Sequence, residues 1–175
     1  MSVGDLQISM NLEYNMLDYA KYYLENIPFH KSADIFQTIK FDIISLGAFY
    51  ELFFKYRLGL INASLIWKEP HKYNIDKHLS ADFVSKDAFE LVNYGRNFKW
   101  ITESEYTLIK DVFALRNKFI HFSLCEQDGT SIRMEIIKYD FFDKNTNLVK
   151  KLLQSLHENL KDNYWYQDIQ KEHLL

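Results

Sequence analysis

The chain has 175 residues, 47% of them hydrophobic and 26% charged, which suits one packed domain and excludes general disorder. Its formal net charge of −3 excludes a protein that coats duplex DNA, which needs a broad basic excess, so any contact with nucleic acid must be local. Five Gly and two Pro leave few chain breaks, while 14 Phe, 12 Tyr and 3 Trp supply large buried areas, favouring long helices around an aromatic core.

The stretch from Met1 to Tyr14 lacks a basic segment followed by an apolar run, so no signal peptide is expected. A first helix is predicted from about Asn11 to Asn26, stopped by Pro28. A second follows Ser32, which can cap it, with Ile35, Ile39, Ile43, Leu46, Tyr50, Phe53 and Ile61 at helical spacing. Between Ile43 and Phe54 it is apolar on nearly all sides, the mark of a buried central helix. The apolar run from Phe41 to Phe54 carries Asp42 and Glu51 and is too short to span a bilayer, so no membrane partner is expected. Glu51 and Lys55 stand four apart in the order that favours an ion pair.

Trp67 to His78, containing Pro70, reads as an irregular connection. His71 and His78 there have no matching cysteine or carboxylate spacing, so neither a metal site nor a cofactor is expected. Ser85 is predicted to cap a helix from Lys86 to about Asn97, with Phe89, Leu91 and Val92 turned inward. Thr102 and Glu105 match a capping box, starting a helix that runs to about His121. Asp128-Gly129 signals a turn, and Ser131 to Tyr139 alternates as a strand that pairs with Phe122 to Cys125 in a small β-hairpin. Cys125 stands alone, in keeping with a reducing, cytoplasmic setting and an inert side chain. A last helix is predicted from about Thr146 to Tyr164, with Leu148, Leu152, Leu156 and Leu160 in one stripe. Tyr164-Trp165-Tyr166 either docks this helix or stacks on bases, and docking is the simpler expectation. The whole is a mainly all-α antiparallel bundle, one domain over residues 1–175, with its core at about 32–122 and a C-terminal hairpin and helix over 123–175.

Projected at about 100° per residue, the helix after Thr102 has three faces. Leu108, Val112, Leu115, Phe119 and Phe122 form the core face. Ile109, Phe113 and Ile120 make a second apolar band that includes Arg116, and Lys110, Asn117 and His121 share a polar face. The second band exceeds what one core contact needs. It can meet another element of the same chain or a second copy of the same helix, which would place Arg116 in a symmetric interface. Arg116 and His121 lie about 140° apart on an ideal helix, so one helix alone does not aim them at one point, whereas a cleft between two subunits would.

Arg116-Asn117-Lys118-Phe119-Ile120-His121 resembles the motif of the HEPN superfamily, an arginine, a polar residue and a histidine a few positions on. Tyr50 to Leu58, with Glu51 and Lys55, resembles the Glu…Lys stretch of a preceding family helix, and Phe83-Val84-Ser85 is similar to the segment between them. The resemblance covers Ser32 to about Phe122. It implies a HEPN-like helical bundle, a homodimer through the motif helix, and a metal-independent ribonuclease of the toxin–antitoxin, phage-defence or RNA-processing kind, with an antitoxin or regulatory partner. Carried onto these positions, it makes Arg116, Asn117 and His121 catalytic, Lys118 and Lys110 substrate-binding, and Glu51 and Lys55 supporting.

The chemistry suits RNA, whose 2′-hydroxyl is a built-in nucleophile beside the phosphorus. Histidine moves protons near neutral pH and the arginine fork stabilises charge on phosphoryl oxygens. The plainer expectation for Arg116 is a partly buried structural arginine paired with a carboxylate such as Glu51. For His121 it is a helix-end residue favoured by the dipole. A catalytically silent HEPN-like module that binds nucleotide or RNA, or only dimerises, is the alternative function, and a helical interaction protein without a site is a third.

Overall fold

A computed structural model describes residues 3–30, 36–72, 84–121 and 140–174. Among these residues the protein is all-α: α1 (Val3–His30), α2 (Phe36–Ile61), α3 (Ala88–Asn97), α4 (Glu103–His121), α5 (Phe141–Gln154), α6 (His157–Leu160) and α7 (Tyr164–Ile169), with a π-turn at Gln170–Leu174. The β element found among them is an isolated antiparallel bridge between Trp67 and Ser85. The expected hairpin of 122–139, Cys125, His78 and the Ser32 cap lie outside the described residues.

Helix α2 is the central element, as its sequence predicts. Ile43, Leu46, Phe49, Tyr50, Phe53 and Phe54 are all fully buried. It packs against α1 over the largest helix–helix contact, and against α3 and α4. Ile61, on the inward stripe by its periodicity, is instead 55% exposed at the last residue of α2, although Leu58 one turn earlier is fully buried. Helix α1 is longer than expected at both ends and carries Pro28 within its last turn rather than stopping ahead of it. A proline near a helix end forfeits one backbone bond, a small loss beside the packing of α1 on α2.

The helix predicted from Lys86 starts two residues later, and its cap is Asp87 rather than Ser85. The Asp87 carboxylate accepts from the Glu90 amide at 2.9 Å, and the Glu90 carboxylate accepts from the Asp87 amide at 3.0 Å. A carboxylate at the N-terminus also meets the positive end of the helix dipole, so it outcompetes a serine two positions upstream, which the bridge to Trp67 occupies. Leu91 and Val92 are fully buried, whereas Phe89 is 37% exposed and touches Phe113 edge-on. The Thr102–Glu105 box is present: the Thr102 amide donates to Glu105 at 2.8 Å, and the Glu105 amide donates to the Thr102 hydroxyl at 3.3 Å.

The C-terminal region breaks where a single helix was expected. Helix α5 begins at Phe141, after Asp140 in a left-handed conformation (φ 51°), and the chain turns at Ser155–Leu156 and again at 161–163. The leucine stripe survives these breaks, since Leu148, Leu152, Leu156 and Leu160 are all buried. Asn163 caps α7, on which Tyr166 is buried while Tyr164 and Trp165 are 71% and 40% exposed. Buried hydroxyls tie these parts together. Tyr50 donates to Asn145 Oδ1 at 2.8 Å, the Asn145 amide donates to the Phe141 carbonyl at 2.8 Å, and Tyr23 donates to the Phe142 carbonyl at 3.2 Å. Burial holds the Tyr50 phenol far above its ordinary pKa, so it stays a neutral donor. Among the described residues no helix is long and apolar enough to cross a membrane.

Candidate site at the crossing of two helices

Helices α2 and α4 run antiparallel. Gly47 of α2 lies beside Arg116 of α4, and Phe54, two turns on, stacks with Trp100 just ahead of α4. The second apolar band of α4 explains how it is held. Ile109 and Phe113 are fully buried within the chain, against α2 and α3, so that band is taken up by the chain's own elements. Ile120, its last member, is 52% exposed. On the expected core face Val112 and Phe119 are buried, Leu108 and Leu115 half-buried, and Phe122 lies outside the described residues.

The crossing brings together three of the residues singled out from the sequence. Arg116 Nη1 donates to Glu51 Oε2 at 2.9 Å, and Lys55 Nζ donates to Glu51 Oε1 at 2.7 Å. The carboxylate is thus shared between two cations, one from each helix, and the trio keeps a net positive charge. The Arg116 guanidinium also lies over the Phe113 ring, 5.3 Å from its centroid. Its Nε is buried and has no hydrogen-bond partner among the described residues. Side-chain exposures of 16% for Arg116, 25% for Glu51 and 13% for Lys55 make this a partly desolvated cluster at the rim of the core. Burial raises the Glu51 carboxyl, and the Lys55 ammonium and Arg116 guanidinium more than offset it, leaving the group below the ordinary carboxylate value. Glu51 is therefore ionised at neutral pH, and the pairing expected of a structural arginine is present.

The other predicted site residues surround this cluster more loosely. Asn117 is half-buried, and Lys118 and Lys110 are exposed on further faces of α4. Lys110 Nζ lies 5.2 Å from the Tyr106 ring centroid, one and a half turns short of Arg116, so it is not gathered into the cluster. His121 closes α4, and its side chain falls outside the described residues. A groove of about 570 Å³ lies between α4 and α5, lined by Thr107, Leu108, Asp111, Lys144 and Lys151 among others, but neither Arg116 nor Asn117 lines it. Among the described residues no three His, Cys, Asp or Glu side chains converge as metal ligands.

Two residues of the crossing escaped the sequence reading. Phe113 was assigned to an apolar band without its role beneath the guanidinium. Gly47 drew no notice, although a glycine inside an otherwise bulky, apolar helix signals a close approach. Comparison with family models, with curated proteins and with solved structures finds no match to this chain.

Proposed function

We propose that the protein is a metal-independent endoribonuclease of HEPN type that cleaves single-stranded RNA in the cytoplasm, as a toxin or phage-defence effector. In this reading two copies associate through α4, and Arg116, Asn117 and His121 of both surround one phosphodiester. The observation that carries it is the held guanidinium: Arg116 is anchored by Glu51 through Nη1 and by Phe113, its buried Nε has no hydrogen-bond partner among the described residues, and it sits in a cluster of net positive charge. Ile120 on α4 and Phe41 on α2, 52% and 54% exposed, belong to the same end of the antiparallel pair, beyond Arg116 and Gly47 respectively. They supply apolar surface for a second copy beside the motif.

The proposed reaction forms the bond from the 2′-oxygen to phosphorus and breaks the bond from phosphorus to the 5′-oxygen. His121 of one copy takes the 2′-hydroxyl proton, the protonated His121 of the other gives one to the leaving 5′-oxygen, and Arg116 stabilises charge on the non-bridging oxygens. Asn117 positions the phosphate or His121, and Lys118 and Lys110 hold flanking phosphates. Products carry 2′,3′-cyclic phosphate and 5′-hydroxyl ends, and DNA of the same sequence is resistant.

Single-stranded RNA and DNA of matched mixed sequence, incubated with the wild type, His121→Ala and Arg116→Ala, test this. Cutting of RNA alone, reduced on the order of 10²–10⁴-fold in His121→Ala with dimerisation kept, is the expected result. A folded wild type that leaves RNA intact would end the proposal. It would favour the second reading, a catalytically silent binding or dimerisation module, which the engaged Arg116–Glu51 pair specifically supports. Nucleotide-dependent melting then separates a binding module from one without a ligand.

A further inference from the structure

Glycine is a poor choice for the interior of a buried helix, where alanine would be more stable. Gly47 is buried in the middle of α2, so something must exclude a side chain there. A Cβ at this position would stand 2.6 Å from Arg116 Cδ and 3.4 Å from Arg116 Cβ and Cγ, and among the described residues these are the three nearest atoms beyond its chain neighbours and its own helix backbone. The two longer distances are ordinary contacts, so a methyl group does not require the helices to separate. The short one cannot be kept. What must move is the outer stem of Arg116, and with it the guanidinium two bonds further on.

We infer that Gly47 is a positioning residue: it opens the lane in α2 along which the Arg116 stem crosses to reach Glu51, and so fixes where the guanidinium stands. A larger residue at 47 closes the lane, and Arg116 then leaves the Glu51 carboxylate and the Phe113 ring for another rotamer. The consequence for RNA cleavage rests on the function proposed above. The steric route itself does not, because it needs only the two helices and the arginine stem.

The test is the substitution Gly47→Ala in the full chain, placed in three backgrounds and read first by thermal melting. In Arg116→Ala the obstructing Cγ and Cδ are gone, so the methyl group fits and the better helix former should raise the melting temperature by about 2–4 °C. In the wild type the same change should give no rise or a fall. Arg116→Lys keeps a Cδ but no guanidinium, and it should behave like the wild type if the stem is what matters. Failure of Gly47→Ala to fold, with Gly47→Ala/Arg116→Ala folded, carries the same meaning. An equal shift in all three backgrounds, or loss of folding in all three, overturns the inference, since the methyl group would then be indifferent to Arg116 or blocked by something else.

The second readout is RNA cleavage by Gly47→Ala. A misplacement of the guanidinium by about 1 Å should cost on the order of 10²-fold in turnover. Undiminished cutting by the folded Gly47→Ala protein removes the positioning role. If the wild type does not cut RNA at all, the ribonuclease reading fails while the melting comparison still decides whether Gly47 directs Arg116.

Discussion

Helix α2 is met closely at two glycine contacts, and the two differ in what the missing side chain makes room for. Towards its C-terminal half, Gly95 of α3 faces Phe54, where an added Cβ would lie 2.3 Å from Cε1 of the ring. Phe54 is fully buried, stacks on Trp100 with centroids 6.5 Å apart and meets Phe53 edge-on. At mid-length, Gly47 of α2 faces the stem of Arg116, whose charged end keeps 16% exposure and an ion pair. The steric device is the same. At the first contact the space holds a ring that contributes dispersion and apolar burial, so the contact contributes mainly to stability. At the second it holds a flexible cation, so the contact contributes mainly to direction.

The contrast predicts unequal costs. Phe54→Ala empties a site enclosed on all sides and should lower unfolding free energy by about 3–5 kcal/mol, read as a shift in the urea midpoint. Gly95→Ala overpacks the same site and should cost about 1–3 kcal/mol. At the polar contact, Glu51→Ala leaves two cations without their carboxylate but near water, so its cost should be smaller, on the order of 1–2 kcal/mol. A Glu51→Ala variant as unstable as Phe54→Ala would mean that the cluster is part of the core, and the division between the two contacts would be lost.

Much of this was readable from residues in order. The apolar run of α2, the Thr102–Glu105 box and the C-terminal leucine stripe are local patterns, and local patterns decide which face is buried. Glu51 and Lys55 declared themselves by spacing, and the partnership of Glu51 with Arg116 was anticipated as the plainer role of that arginine. The cap at Asp87 went to Ser85 because two candidates stand close together, and the dipole favours the carboxylate. The breaks within the expected last helix, at Ser155–Leu156 and 161–163, are answers to tertiary packing that no local signal encodes. Gly47 was least legible of all. Its meaning exists only where a residue 69 positions later crosses it, and a one-dimensional pattern shows such a glycine as a weakness in a helix rather than a passage through it.

The smallest expected effect is on acid stability, and it sharpens the comparison because only the polar contact has a titrating group. The folded-state pKa of Glu51 is depressed, since its two cations outweigh burial. Its contribution is therefore complete above the ordinary carboxylate value of 4.5 and lost as pH falls through the lower folded-state value. Glu51→Gln keeps the shape and an acceptor but does not titrate, so the wild type should exceed it in stability at neutral pH and converge on it in acid. Glu105, depressed by Lys151 and by the Thr102 cap against its own burial, should give a similar curve when changed to Gln. Arg116→Ala distinguishes the two: it should shrink the pH-dependent difference at Glu51 and leave that at Glu105 unchanged. A Glu51 difference untouched by removing the guanidinium would mean that Lys55 alone sets the carboxylate, and that Arg116 is held in place by Phe113 and the lane at Gly47 without it.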